Sequence, residues 1–205
     1  MHSGTSLAEP RPMGLPISDG KLAIWVFLGT EIMFFTGLIG AYIVLRVGNA
    51  DLWPAHHEVL SEPIGAFNTF ALICSSVTVV LALQAIRRGR RARCLGLIGG
   101  TFLLGFLFLG VKAYEYFEKW EHGLTPWAVA RAHPDWKLWS STYFMTTGFH
   151  ALHVFAGLVA WGWILLAGLT VGPQACRASY VENAGIYWHF VDVVWIFLFP
   201  MLYLM

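Results

Sequence analysis

The sequence predicts an all-α membrane protein, built as a bundle of five transmembrane helices. Of its 205 residues, 57% are hydrophobic and only 12% are charged, whereas a soluble domain carries about 25% charged residues. The apolar residues form long continuous runs, which is typical of helices in lipid and not of the short alternating segments of a β-barrel. The net charge of +1 excludes a strongly basic nucleic-acid-binding domain, so we expect no nucleic-acid partner.

Five apolar runs are long enough to cross a bilayer, which takes about 20 residues. They cover residues 22–45, 66–86, 94–114, 139–171 and 183–205. The preceding segment is polar and rich in proline and glycine. We therefore predict two regions, a polar arm over residues 1–20 and a membrane domain over residues 21–205.

The charges predict how the bundle is oriented. Residues 87–93 hold five arginines, and the positive-inside rule places such a turn in the cytoplasm. The N-terminus then also lies in the cytoplasm and the C-terminus lies outside. The loop after the first span contains the acidic residues Asp51 and Glu62. It falls on the outer side, which is consistent with this orientation.

Small residues and cysteines suggest how the helices pack. Gly96 and Gly100 form a G-x-x-x-G pair in the third span, which predicts a close approach of helix backbones at that point. The three cysteines, Cys74, Cys94 and Cys176, lie far apart in sequence. That spacing does not indicate a disulfide or zinc framework, so we expect them to serve as apolar packing groups.

Ionisable residues within the spans carry most of the functional information. A charge at the bilayer centre costs about 2.5–3.5 kcal/mol on insertion scales, so such residues face other helices or a functional site. Glu31, His150 and Asp192 are each predicted close to the midplane. His150 and His153, like His189 and Asp192, are three residues apart and share a helix face.

Two interpretations of this polar layer compete. Histidine and carboxylate at helical spacing hold the metals of di-iron bundles, but those sites need Glu-x-x-His pairs and further carboxylates at one depth. Here Glu115 lies far from the other polar residues, near the end of the third span. Hydrogen bonds between helices are therefore the favoured interpretation. An apolar setting favours the neutral form of a carboxyl group, so Glu31 suits a proton path or a neutral hydrogen-bond partner, and both stay open.

Several long motifs resemble subunit III of the haem–copper cytochrome c oxidases. They are STYFMTTGFHALHV at 141–154, YWHFVDVVWIFL at 187–198 and TEIMFF at 30–35, with Asn68-Thr69 and YEYF at 114–117. The likeness extends from about residue 20 to the C-terminus. Many members of that family have seven helices, whereas this sequence predicts five and lacks the first pair, so it resembles a short five-helix type.

The resemblance implies a non-catalytic membrane subunit of a respiratory terminal oxidase in the bacterial plasma membrane. It implies that partner subunits I and II hold the haem and copper and transfer electrons from cytochrome c to oxygen. This chain then has no catalytic residue and no metal ligand of its own. It stabilises subunit I, supports proton uptake, protects the complex from inactivation during turnover, and contacts phospholipid.

The resemblance also assigns residues. Glu31 corresponds to the buried carboxylate of the family. The remaining polar signature is expected to stabilise the bundle or to contact lipid or subunit I; it comprises Glu115, His150, His153, Glu182, His189 and Asp192.

Other functions stay open at this stage. The chain is also compatible with an accessory subunit of a quinol oxidase or of a nitric oxide reductase. A self-contained metalloenzyme using His150, His153, His189 and Asp192, or a proton channel using Glu31, is less favoured because neither accounts for the long motif matches.

Overall fold

The computed structural model describes residues 19–54, 59–132, 134–172, 174 and 176–204. Five long helices make up most of this part of the chain, which contains no strand. They are α1 (Asp19–Gly48), α2 (Glu62–Arg87), α3 (Arg91–Glu121), α4 (Lys137–Thr170) and α5 (Ala178–Phe199). Each is long and apolar enough to cross a membrane, which confirms the predicted fold class. The predicted polar arm lies almost wholly outside the described residues.

The helix ends follow from local sequence. Pro63 lies in the first turn of α2, where a missing N–H leaves no helical hydrogen bond unmade. The tight turn between α2 and α3 contains Gly89 at a φ of +74°, a left-handed conformation that favours glycine. A π-helical turn, Pro200–Leu204, follows α5, and it buries the side chain of Tyr203 in the bundle.

Consecutive helices run in opposite directions, so the bundle has two ends. We call one the arginine end, because it holds the α2–α3 turn, together with the start of α1 and the α4–α5 connection. An ion-pair cluster ties these segments together: Glu182 lies 2.6 Å from the Nζ atom of Lys21 and 3.5 Å from a guanidinium nitrogen of Arg87. The assignment of the arginine end to the cytoplasm stays a prediction.

The helices differ in how deeply they are packed. Half of the apolar window of α5 is buried, against 11% of that of α1. α5 packs against α1, α2 and α4, and α2 packs along α3. The outer face of α1 carries exposed apolar side chains such as Trp25, Met33 and Val44. α1 is therefore the peripheral helix of the bundle.

The indole of Trp188, on α5, lies at the centre of the bundle. A side-chain carbon at Gly105 of α3 would approach this ring to 2.7 Å, and one at Gly157 of α4 would approach it to 2.6 Å. The two glycines therefore form the notch that accepts the ring. The indole N–H donates a hydrogen bond to Ser75 of α2 at 2.8 Å, so this one side chain joins four helices.

The close approach expected at Gly96 and Gly100 is wrong. A side-chain carbon at either position would meet nothing within 4 Å. The reason is rotational: the buried face of α3 runs through Cys94, Ile98 and Gly105, and the glycine pair lies on another face. The small residue that α3 uses for close packing is Gly105.

Candidate functional site

A carboxyl–imidazole pair joins α1 to α4 near the middle of both helices. The Nε2 atom of His153 lies 2.9 Å from a carboxyl oxygen of Glu31. The Nδ1 atom of the same ring lies 2.7 Å from the carbonyl oxygen of Phe149. A carbonyl oxygen only accepts hydrogen bonds, so Nδ1 carries a proton. The 2.9 Å contact then contains one proton, either on the Glu31 carboxyl or on the imidazole.

This pair is only partly sealed. The side chains of Glu31 and His153 are 18% and 14% exposed. Phe35 packs edge-on against the His153 ring, with centroids 5.0 Å apart, and Phe34 stacks on its other side at 6.3 Å. The arrangement therefore holds a proton near the middle of α1 and α4, at a contact that is partly open to the surface of the bundle.

A second polar group joins α2 to α5 at a similar depth. The hydroxyl of Ser76 donates to a carboxyl oxygen of Asp192 and lies 3.0 Å from Nδ1 of His189. Because the hydroxyl has one proton and gives it to Asp192, it accepts from the imidazole N–H. The other carboxyl oxygen of Asp192 has no hydrogen-bond partner among the described residues. Ser76 is therefore the link that the His189–Asp192 spacing alone does not reveal.

His150 occupies an aromatic cage instead of making the expected interhelical hydrogen bond. It is 1% exposed, and neither ring nitrogen has a partner within the described part of the chain. The ring stacks on Trp195 with centroids 5.0 Å apart and meets Phe108 at 5.8 Å and Phe35 at 6.4 Å. His150 thus joins α1, α3 and α5 by ring packing.

A buried charged network lies nearer the end opposite the arginine end. Glu115 accepts from the Nζ atoms of Lys112 and Lys119, each 3.2 Å away. The Tyr203 hydroxyl lies 2.8 Å from both carboxylate oxygens, and Tyr143 donates to one of them. All five side chains belong to residues that are at most 4% exposed. We call these five residues the Glu115 network.

The network neutralises its charges only in part. With both lysines and the glutamate ionised it carries one net positive charge. Lys112 also donates to the hydroxyls of Tyr143 and Tyr203, at 3.1 and 3.0 Å, and its ammonium lies 5.3 Å from the centroid of the Trp195 ring. Such cation–π contacts disperse charge in dry surroundings. Beside the network, Glu115 and Lys119 line a cavity of about 310 Å³ that also touches Leu60.

Glu182 belongs to the arginine end and not to either polar group above. It pairs with Lys21 and Arg87, and the three side chains are between 27% and 59% exposed. A pair this open to solvent is expected to contribute little to stability, but it fixes where α1 lies along α5.

The structure does not gather the residues of the metalloenzyme alternative. No group of three or more His, Cys, Asp or Glu side chains within the described ranges is placed to hold a metal ion. His153 pairs with Glu31, His189 pairs with Ser76, and Phe35 packs between the rings of His150 and His153.

Sequence reasoning missed four members of the Glu115 network and Ser76. A signal for two of them was present, since Lys112, Glu115 and Lys119 are spaced three and four apart and must share a face of α3. Tyr143 and Tyr203 had no such signal, because their hydroxyls reach Glu115 from other helices. Glu118, three residues from Glu115, is exposed and lines the same cavity, but it is not a member of the buried network.

These features define a polytopic membrane protein, a five-helix bundle organised around buried polar pairs and a buried charged network. A family model described as cytochrome c oxidase subunit III matches residues 15–205. The chain is 40% identical to cytochrome c oxidase subunit 3 of Corynebacterium diphtheriae over 87% of its length and 84% of the relative. It is 33% identical to that of Alkalihalophilus pseudofirmus, over 91% and 88% of the two chains. It is also 34% identical to a heme-copper oxidase subunit I+III of Aeropyrum pernix, over 90% of this chain and 22% of that protein.

The chain belongs to the cytochrome c oxidase subunit III family, which confirms the resemblance seen in its motifs. It is therefore a multi-pass membrane protein and a subunit of a hetero-oligomeric haem–copper oxidase.

Proposed function

We propose that this chain is a non-catalytic subunit of an aerobic respiratory oxidase in a bacterial plasma membrane. It stabilises subunit I, beside subunit II, while those partners hold haem and copper and pass electrons from cytochrome c to oxygen. The family match over residues 15–205 carries this proposal. The Aeropyrum pernix relative supports the contact with subunit I, because its name joins subunits I and III in one protein.

The exposed face of the peripheral helix α1 is suited to contact lipid or another subunit. Exposed apolar side chains on α1, among them Trp25, Ile32 and Val44, need lipid or another subunit in the membrane. The partly exposed Glu31–His153 pair lies between α1 and α4. We assign phospholipid and subunit I to these surfaces, with the arginine end in the cytoplasm.

The 2.9 Å contact between Glu31 and His153, which requires one shared proton, is the local feature that supports a role in proton uptake. When that proton moves from the Glu31 carboxyl to the His153 imidazole, the net charge of the pair does not change. The 2.9 Å hydrogen bond is kept whichever residue carries the proton. Such a pair is suited to receive and release a proton at mid-depth. The pair supports proton delivery to the partner subunit and is not itself a redox site.

Purification of the tagged chain from its native membrane in mild detergent tests the assignment. We expect larger subunits to copurify, a visible redox difference spectrum with haem bands, and oxygen consumption on addition of reduced cytochrome c. A chain that purifies alone without haem would overturn the proposal. Consumption with a quinol but not with cytochrome c would correct the electron donor and keep the accessory role.

The variant Glu31→Gln tests the proton role within the assembled complex. We expect haem bands and subunit composition to match wild type, while activity is lost after fewer turnovers. Glu118→Gln is the matched control, because Glu118 is exposed and lies outside the pair. Equal turnover-dependent inactivation in wild type, Glu31→Gln and Glu118→Gln would refute the role of the pair.

A further inference from the structure

Two cysteines that lie far apart in sequence meet at the arginine end. The Sγ atoms of Cys94 and Cys176 are 3.8 Å apart. Both are free thiols and both are buried, with exposed fractions of 0% and 2%. The contact joins the first turns of α3 to the connection between α4 and α5, 82 residues further along the chain. The expectation that these cysteines serve only as separate packing groups does not account for this pairing.

The surroundings favour a thiolate at this contact. The Cys176 sulfur lies against Cys94, four residues into α3 and so close to a helix N-terminus with a partial positive charge. The pKa of Cys176 is lowered, chiefly because the Cys94 thiol donates a hydrogen bond to it and further because Arg91 lies near, although burial acts in the opposite direction. Reactive cysteines are typical of settings that are both electropositive and partly exposed. The first condition is met at Cys176, whereas both sulfurs are buried, so reaction requires a local opening that exposes Cys176.

We propose that Cys94 and Cys176 form a redox-active dithiol, which a hydroperoxide oxidises to an intramolecular disulfide and which a thiol reductant restores. The site is independent of the oxidase function proposed above. The product would tie the beginning of α3 to the α4–α5 connection. To reach a bond length of about 2.05 Å the two sulfurs must move together by about 1.8 Å.

The local structure allows that movement and the entry of a small oxidant. Cys176 lies outside the long helices, in a connection whose described residues include the exposed Gln174 and Arg177. Opening of such a connection does not require unwinding of a helix. Cys94 is held by its helix, and Cys176 is therefore the sulfur that moves.

The reaction balances with a hydroperoxide as the oxidant. The Cys176 thiolate attacks one peroxide oxygen, the O–O bond breaks, and the leaving oxygen takes up a proton. Cys176 is then a sulfenic acid, oxidised by two electrons. The Cys94 sulfur attacks the Cys176 sulfur and displaces hydroxide, and the proton of the Cys94 thiol converts the hydroxide to water. With hydrogen peroxide, two thiols and one peroxide give one disulfide and two waters.

Differential alkylation of the full chain in its native complex tests the proposal. The sample is treated with hydrogen peroxide, denatured so that all thiols become accessible, alkylated, digested without reduction and analysed by mass spectrometry. We expect the alkylatable thiols to fall from three to one, with Cys74 still labelled. A cross-linked peptide containing Cys94 and Cys176 should form and should disappear after treatment with dithiothreitol. Full labelling of both cysteines after oxidation, or oxidation of each without a cross-link, would overturn the proposal.

Matched variants show which sulfur reacts first with the peroxide. The proposal itself does not depend on the folding of these variants, because the cross-link is measured in the wild-type protein. Cys74→Ser should still form the cross-link. Cys94→Ser should leave a sulfenic acid on Cys176 that dimedone traps. Trapping on Cys94 in the Cys176→Ser variant, with none on Cys176 in Cys94→Ser, would contradict the order of attack.

Discussion

Replacing Glu115 with glutamine should destabilise the bundle more than any replacement of an exposed carboxylate. The change leaves Lys112 and Lys119 buried without the negative charge that lies 3.2 Å from each. At an effective dielectric constant of about 20, each of these contacts contributes about 5 kcal/mol of Coulomb attraction. Desolvation of the ions offsets much of this attraction. Removal of one partner from a buried pair costs about 3–5 kcal/mol in practice, and we expect Glu115→Gln to fall in this range.

Thermal denaturation of the chain within its purified complex measures this difference. For a chain of this size, each kcal/mol shifts the midpoint by about 2–4 °C. Glu115→Gln should therefore lower the midpoint by roughly 6–20 °C, on the same scale. Glu182→Gln breaks a pair whose side chains are at least 27% exposed, so it should cost at most about 1 kcal/mol. Glu118→Gln changes an exposed residue of the same helix and serves as the matched control.

A midpoint for Glu115→Gln that equals that of Glu118→Gln would refute the reasoning. It would mean that water in the adjacent cavity of about 310 Å³ already screens the lysines, so that they do not need the carboxylate. The burial of Lys112 and Lys119, at 3% and 4% exposure, argues against such screening.

Three further predictions rest on single contacts. Gly157→Ala places a methyl group 2.6 Å from an indole ring and should cost about 1–3 kcal/mol by overpacking, whereas Gly110→Ala meets nothing within 4 Å and should be neutral in the same thermal assay. Asp192→Ala leaves the Ser76 hydroxyl without its acceptor and should lower the stability of the bundle by about 1–3 kcal/mol. Subunit copurification should weaken, while the haem spectrum of the assembled fraction stays intact. Loss of haem from a normally assembled complex would contradict this prediction. Glu31→Gln should leave copurification unchanged, because an amide can still form a hydrogen bond with the His153 ring; loss of assembly would indicate that an ion pair is required there.

The fold was predictable because the bilayer imposes strong rules on sequence. A span must be long, apolar and helical, and these requirements are visible in every one of the five runs. The same rules fail at helix ends. α3 continues to Glu121, beyond its apolar run, and the charged residues Lys112, Glu115 and Lys119 are buried there because they pair with one another inside the bundle.

The candidate site was predictable only where both partners stand out in an apolar sequence. Glu31 and His153 do so, and the structure brings them together. Ser76 does not, since a serine in a membrane helix most often bonds to its own backbone. Tyr203 reaches Glu115 through the π-helical turn after α5, and no periodicity argument places a side chain there. The Cys94–Cys176 contact likewise depends on tertiary structure and has no signal in spacing.

Because α1 is weakly packed, the Glu31–His153 pair also has a structural role, which is to position this helix. In a bilayer, apolar burial hardly distinguishes a protein neighbour from lipid, so polar contacts decide where a peripheral helix lies. Polar contacts between α1 and the rest of the bundle include Lys21 with Glu182, Glu31 with His153 near the middle of the helix, and the Tyr42 hydroxyl with the Met201 carbonyl. The Glu31–His153 contact therefore both holds a proton and helps to fix the position of α1.

The two roles separate by substitution. Glu31→Gln keeps a hydrogen bond to the imidazole and removes the carboxyl proton, so it should change turnover and not assembly. Glu31→Ala removes both and should also weaken subunit copurification. If the two variants behave alike in copurification, the pair does not position α1, and the contacts of Lys21 and Tyr42 suffice to do so.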